Sequence, residues 1–568
     1  VYDEIFTTAA VTPNPMGLFA TVARWDGDRL TVHDASQDPM LVRKTLATVF
    51  SLPETDVRVL VPYLGGGFGS GLRVWPHVLL TALAARVVGR PVKLVLTRPQ
   101  MFNSVGHRPE SWQRVRLGAT RDGRLVAIDH EGTSTLGALD EGGIEPVAGV
   151  TANAYACPNV ATHDRRVRVH IPCPHWMRGP GTTQGNFALE SALDELSYTL
   201  GIDPIELRLR NYAEVHPVSG LPWSSKALRE CYRVGAERFG WARRTPEIGS
   251  MRDGNWLVGY GMAGVTFTSG QARCQAEVSI RGDGTAHVRS ASTDLGTGTY
   301  TIATQVIAEL LGLDIEQVRV EIGDSDLPPA PYSGGSGMAT SLSGAIQDAA
   351  RKLVRAFLDV VADDESSPLR GRRPDEITTA NGGIHVRDAP MIGETYADIL
   401  ARYGLPEITA LGERNPQANG ASPPPNGSFA ARFAEVRVDA DLGLLRVARI
   451  VSAVDAGRVL NEKLARSQII GGTVMGIGMT MLEETVFDPE TGRIANANFG
   501  DYLIPTNADV PDLDVVFVGT PDTVRPLGIK GMGEISGVGL SAAIANAVYH
   551  ATGRRIRSLP ITVDELLS

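Results

Sequence analysis

Residues 530–539 read Lys-Gly-Met-Gly-Glu-Ile-Ser-Gly-Val-Gly and set one carboxylate, Glu534, in a glycine-dense loop directly ahead of an apolar helical stretch. Glycine lets a backbone turn through conformations closed to other residues and approach a neighbour closely. A helix start presents unpaired N–H groups to an anion. A lone carboxylate in that setting suits a general base beside a bound anionic group. Glycine-rich loops recur at 65–71, 177–185, 294–299 and 333–343. Taken singly, each has an ordinary explanation. Residues 65–71 make a tight strand-to-helix turn, Arg178 is a surface arginine over a bend, and Thr or Ser in the next two loops is an N-cap. Glu534 alone complements a helix dipole, worth under about 1 kcal/mol. Together the loops supply the many anchoring points that one large, elongated anionic ligand needs. The spacing fits neither a dinucleotide fingerprint nor a P-loop, because no acidic residue follows at the right distance and no Gly-Lys-Ser/Thr is present.

Around these loops the pattern alternates strands and helices. Strands are expected at 20–25, 30–34, 57–62, 92–97 and 113–117, with helices at 40–50, 75–88, 186–200 and 204–211. A polar connector runs to about 241 and a linker to 254. Beyond it, strands are expected at 275–280, 286–290, 318–322, 433–438 and 445–455. Helices are expected at 300–311, 341–361, 468–482 and 541–552, with an irregular loop over 415–427. The fold class is α+β, in two units, 1–235 and 236–568.

Other chemistries are disfavoured. The formal charge of −10, without Lys/Arg blocks, argues against nucleic-acid binding. Cys157, Cys173, Cys231 and Cys274 form no CxxC pair, so a zinc or iron–sulfur site made by this chain is not expected. No apolar run reaches membrane-spanning length, and no signal peptide is visible. A cytoplasmic location is expected, with periplasmic export alongside a signal-bearing partner as the alternative. The chain enters a strand-like pattern at once from Val1, which suggests that it lacks its native beginning.

The segments GGGFGSG at 65–71, HWMRGPG at 175–181, DLGTGTYT at 294–301, GGSGMATS at 334–341 and KGMGEISGVG at 530–539 resemble the molybdenum-cofactor-binding large subunit of the xanthine dehydrogenase/aldehyde oxidase family. Residues 190–212 and 544–561 extend the resemblance over nearly the whole chain. It is strongest to the bacterial three-subunit branch. It implies two cofactor-binding domains of mixed sheets and helices, with a pterin-dithiolene molybdenum centre at their interface and no direct side-chain ligand to the metal.

The same resemblance assigns roles. Glu534 matches the glutamate that deprotonates the metal-bound hydroxide, Gln37 the glutamine that hydrogen-bonds the oxo group, and Arg178 the arginine near substrate and metal. Gly66, Gly67, Phe68 and Gly69 match the loop beside the metal. Ala339, Thr340 and Ser341 match the segment under the cofactor. Gly296, Thr297, Gly298, Gln468, Lys530, Gly531 and Gly533 are expected pterin or nucleotide contacts, and the cytosine dinucleotide form of molybdopterin is expected. Electrons are expected to leave through a [2Fe–2S] subunit and an FAD subunit. Leu72 stands where purine-oxidising members carry a second glutamate, Pro180 where an aromatic is common, and Gly17 where a glutamate is common. The first two changes weaken purine specificity and favour aldehydes or other N-heterocycles. Oxidation of aldehydes, aromatic ones foremost, is the leading expectation, with N-heterocycle hydroxylation as the alternative. A copper-dependent carbon monoxide dehydrogenase is disfavoured, because Cys173 lies five residues before Arg178 and outside a matching loop. A non-catalytic scaffold that kept the fold is the remaining alternative, disfavoured by the presence of Glu534, Gln37 and Arg178 together.

Overall fold

The computed structural model describes residues 1–139, 145–418 and 424–567. Its largest sheets are five-stranded. One runs Ser558–Leu559, Tyr2–Thr8, Ser111–Ala119, Leu125–Gly137, Val160–Val169, so the two ends of the chain meet in it. The other is built on the long antiparallel pair Trp256–Phe267 and Ser428–Asp439.

Two buried helices lie against these sheets. Thr182–Leu200 and Leu540–Thr552 share one apolar core with strand residues such as Phe6, Val115 and Val436. A second core is formed where Thr299–Leu311 and Met338–Val360 cover a four-stranded sheet that includes Cys274–Arg281 and Glu407–Arg414. A smaller unit packs Pro39–Phe50 and Pro76–Val88 on the sheet Val57–Leu60, Arg29–His33, Ala20–Asp26, Val92–Val95.

Several elements depart from the sequence expectation. The polar connector contains the helix Leu228–Phe239, which buries Leu228, Cys231, Tyr232, Gly235 and Phe239 at helical spacing while arginines and glutamates cover its outside. The strand Trp256–Phe267 is unexpected because Gly259 and Gly261 interrupt its apolar run. Those glycines admit the helix Leu540–Thr552. A Cβ on Gly259 would lie 1.9 Å from the Ala547 carbonyl oxygen, and one on Gly261 would lie 2.2 Å from backbone atoms of Ala543 and Ala547. The hairpin turn expected at 121–124 joins Ser111–Ala119 to the strand Leu125–Gly137, while the strands Val160–Val169, Glu407–Arg414 and Asp512–Val518 lie outside the sequence expectation. The loop expected over 415–427 includes 419–423, outside the described residues.

Candidate active site

The glycine-rich loops converge on one cavity of about 850 Å³. Side chains drawn from distant parts of the chain tie them together. Gln37, almost fully buried, accepts from the N–H groups of Gly69 (3.0 Å) and Gly71 (3.2 Å) through Oε1 and donates through Nε2 to the Ser333 carbonyl (2.6 Å). It therefore joins loop 65–71 to loop 333–343 and keeps one amide hydrogen uncommitted by these bonds. The Arg178 N–H donates to the Phe68 carbonyl at 2.8 Å. Phe68 itself has φ 53°, a left-handed conformation uncommon for a bulky residue.

Arg178 is the second junction. Its Nε donates to the Gly533 carbonyl (2.6 Å), and one terminal nitrogen donates to the carbonyl (2.9 Å) and Oε1 (3.1 Å) of Gln468. Gln468 in turn donates to the Gly296 carbonyl at 3.2 Å. Burial pushes the guanidinium down to about 10, opposed by the Glu534 charge, so it stays protonated at neutral pH. Behind it the buried pair Arg108–Glu145 (3.1 Å) fixes the bend. Glu145 accepts from the N–H groups of Met177 and Gly181, and Arg108 donates to the carbonyls of Met177, Arg178 and Gly179.

Glu534 lies on the cavity wall between these junctions. Its Oε2 accepts from the Ser336 hydroxyl at 2.9 Å and its Oε1 accepts from the Gly179 N–H at 3.4 Å. Burial raises its proton affinity. The Ser336 hydroxyl, the Gly179 N–H and the Arg178 and Arg108 charges pull the other way without cancelling the rise. Sequence reasoning missed Ser336, because a hydroxyl just ahead of a helix reads as an N-cap.

The other expected contacts divide. Phe68, Gly66, Gly69, Thr297, Ala339, Gln468 and residues 530, 531 and 533 line the cavity. Gly67, Gly298, Thr340 and Ser341 do not. The Gly67 position is filled by Gln37, whose Oε1 lies 2.2 Å from where a Cβ would stand, and the Gly298 position by Leu464 at 2.4 Å. The Thr340 and Ser341 hydroxyls bend back to the Gly337 carbonyl, leaving the backbone start of their helix facing the cavity through Met338 and Ala339. The Lys530 ammonium turns away into a buried pair with Asp455 (2.9 Å), so this residue offers the cavity its backbone. In loop 294–299 the N–H groups of Gly296 and Gly298 are taken by Asp294, contrary to the expectation of a free donor cluster.

The remaining surface suits an elongated anionic group. Gly296 (φ 95°) has open space where a Cβ would stand, and the nearest atom to one on Gly533 is 3.6 Å away. The helices Thr182–Leu200, Thr299–Leu311 and Met338–Val360 all start on the cavity with a glycine N-cap, although in the second Asp294 accepts from the first-turn N–H of Tyr300 at 3.4 Å. The start of the last helix, Met338 and Ala339, lines the cavity together with Gly334, Gly335, Ser336 and Gly337, and uncapped helix-start N–H groups suit an anion. Among the described residues no group of three His, Cys, Asp or Glu side chains is placed to hold a metal ion.

This fold and cavity define a cofactor-dependent enzyme of the α+β class, and comparison with known proteins gives the family. Two models described as molybdopterin cofactor-binding domains match residues 1–212 and 234–511. The chain is 38% identical over 580 residues to the aldehyde oxidoreductase molybdenum-binding subunit PaoC of Escherichia coli (strain K12), covering 100% of this chain and 77% of that protein. It is 31% identical over 553 residues to the putative xanthine dehydrogenase molybdenum-binding subunit XdhA of the same organism, covering 95% and 73%. The solved structure of quinoline 2-oxidoreductase from Pseudomonas putida 86 superposes with a TM-score of 0.90 at 25% identity, over 100% of this chain and 75% of that one. The chain belongs to the xanthine dehydrogenase/aldehyde oxidase family of molybdopterin-dependent oxidoreductases, as a homologue of its molybdenum-cofactor-binding large subunit. No helix among the described residues is long and apolar enough to cross a membrane.

Proposed function

We propose that this chain is the catalytic subunit of a hydroxylase that converts aldehydes, aromatic ones foremost, to carboxylic acids: RCHO + H2O → RCOOH + 2 H⁺ + 2 e⁻. The observation that carries this is the Glu534 carboxylate, partly buried, raised in proton affinity and set in the cavity wall where its own loop meets the four other glycine-rich loops. The bound molybdopterin, in its cytosine dinucleotide form, supplies the two-electron oxidant and the water-derived oxygen. The chain does the rest. The start of the Met338–Val360 helix and the backbone of residues 296, 531 and 533 hold the anionic body of the cofactor. Gln37 offers its remaining amide hydrogen, and Arg178 supplies a fixed positive charge. Glu534 takes the proton, its basicity favoured by exclusion from water. Units 1–235 and 236–568 share the cavity, the first contributing loops 65–71 and 177–185 and the second the others.

Substrate choice follows from the wall. Leu72, Trp176, Pro180 and Phe267 line it. They accept an aromatic ring but leave the polar edge of a purine without partners. The aldehyde oxidoreductase relative supports the same choice. Hydroxylation of N-heterocycles is a second reading, favoured by the similarity to quinoline 2-oxidoreductase. The electrons pass to [2Fe–2S] and FAD partner subunits in the cytoplasm.

Metal and nucleotide analysis, followed by turnover of aldehydes, purines and quinolines with a dye acceptor, tests this. Near-stoichiometric molybdenum, released CMP and the highest kcat/KM for aromatic aldehydes are expected. Native protein without molybdenum, or purines turned over fastest, would contradict it.

A further inference from the structure

We propose that Ser336 is a positioning residue that holds Glu534 by Oε2 and so designates Oε1 as the oxygen that takes the proton. This rests on the assignment of Glu534 as the base.

The geometry is reciprocal. The Ser336 hydroxyl donates to Oε2 at 2.9 Å, while the Glu534 N–H donates to the same hydroxyl oxygen at 3.0 Å. The side chain and backbone of Glu534 are therefore both fixed by one atom, and the carboxylate cannot rotate without breaking that ring. Oε1 is left with one long contact, 3.4 Å, to the Gly179 N–H. An oxygen so weakly engaged is the one able to receive a proton.

The ordinary role of a serine at this place is capping the helix that follows. That role is excluded. The Met338–Val360 helix has Gly337 as its N-cap and receives no side-chain cap. The hydroxyl goes instead to a residue 198 positions away. Ser336 also sits at φ 53°, a conformation a non-glycine residue adopts only when its surroundings hold it there. Loop 530–534 provides that hold. A Cβ on Gly531 would lie 2.3 Å from the Ser336 carbonyl oxygen and 2.7 Å from its Cβ, so the two loops meet at backbone distance.

The charges acting on Glu534 are Arg178 and Arg108, and both have partners of their own, as do Lys530, nearby in sequence, and Arg432, the arginine bound to the same loop. Arg178 is held by Gly533 and Gln468, and Arg108 is paired with Glu145. Arg432 is bound to the carbonyls of Ile535 and Val538, and Lys530 is paired with Asp455. None of these bonds involves Ser336, so its hydroxyl can be removed without rearranging the cations. A donor to the ionised carboxylate favours ionisation, so its loss raises the carboxyl pKa further.

Ser336→Gly is the decisive variant, because glycine accepts φ 53° without strain; Ser336→Ala serves if the glycine variant does not accumulate. Two readouts are taken on cofactor-loaded protein. The acid limb of kcat/KM should move to higher pH by about one unit, a roughly tenfold loss below the limb with recovery above it. The carboxylic C=O infrared band that disappears in Glu534→Gln should persist to correspondingly higher pH, a readout independent of turnover. A folded, fully loaded variant in which neither limb nor band moves would overturn the proposal. Normal turnover in Glu534→Gln would instead remove the base assignment, and the two failures are thereby separate.

Discussion

Arg178 donates in three directions at once, to Gly533, to the Gln468 carbonyl and to the Gln468 side chain. A lysine carries the charge but not the planar fork. Arg178→Lys should therefore keep the fold and lower kcat by about 10²-fold, the scale of a small misplacement at a reacting centre. Steady-state kinetics with an aromatic aldehyde measures this, and an unchanged kcat would deny Arg178 a part. Leu72 tests selectivity at the same scale. Leu72→Glu should raise the purine-to-aldehyde ratio of kcat/KM by about tenfold or more, mainly by weakening the apolar substrate. At this scale the glycine-rich motifs lead to Glu534 and Arg178, whereas Gln37, in Ala35-Ser36-Gln37-Asp38, is found only through the family resemblance. They do not reveal where hydroxyls and amines turn. Thr340, Ser341 and Lys530 look like ligands in the chain, yet their polar atoms are committed to Gly337 and Asp455. Ser336 looks like a helix cap and is not one. Such choices are made by the folded backbone, from a carbonyl three or four residues back for Thr340 and Ser341 to a carboxylate 198 positions away for Ser336.

Among elements, the helices that follow glycine-rich loops are legible in the sequence, whereas the striped helix Leu228–Phe239 is hidden in a polar connector and the strand Trp256–Phe267 is hidden by its glycines. Gly259 and Gly261 lower strand propensity, but they allow Leu540–Thr552 to press onto the sheet, and that helix is continuous with the loop carrying Glu534. The contact that explains the glycines is tertiary, so no local pattern reports it. Gly261→Ala should push the helix outward and destabilise by about 1–3 kcal/mol. A thermal melt together with cofactor content checks this; both should fall, and an unchanged pair would show that the close approach is not needed.

On the scale of the whole molecule, segment 483–502 closes onto the strand region near residues 10–12. Thr485 donates to the Ala10 carbonyl at 2.7 Å, and the buried Tyr502 hydroxyl accepts from the Thr12 N–H and donates to Glu483. Burial raises Glu483 from 4.5 to about 7, opposed by its Tyr502 bond. A carboxyl raised on folding favours the folded state fully below its unfolded pKa and loses that contribution as pH climbs through its folded pKa. The window is therefore about 4.5 to 7, and the loss is on the order of 3 kcal/mol. Glu483→Gln fixes the neutral form. Its stability relative to the parent, from denaturant unfolding, should rise between pH 5 and 8, and a flat difference would contradict the assignment.

The central claim is that distant loops bring a bound molybdopterin beside Glu534 as proton acceptor, and the anaerobic reduction of the loaded enzyme by an aromatic aldehyde tests it most directly. Glu534→Gln should carry molybdenum and CMP at parental levels while its reduction slows by about 10²–10⁴-fold or more. Reduction at the parental rate in a fully loaded variant would contradict the account.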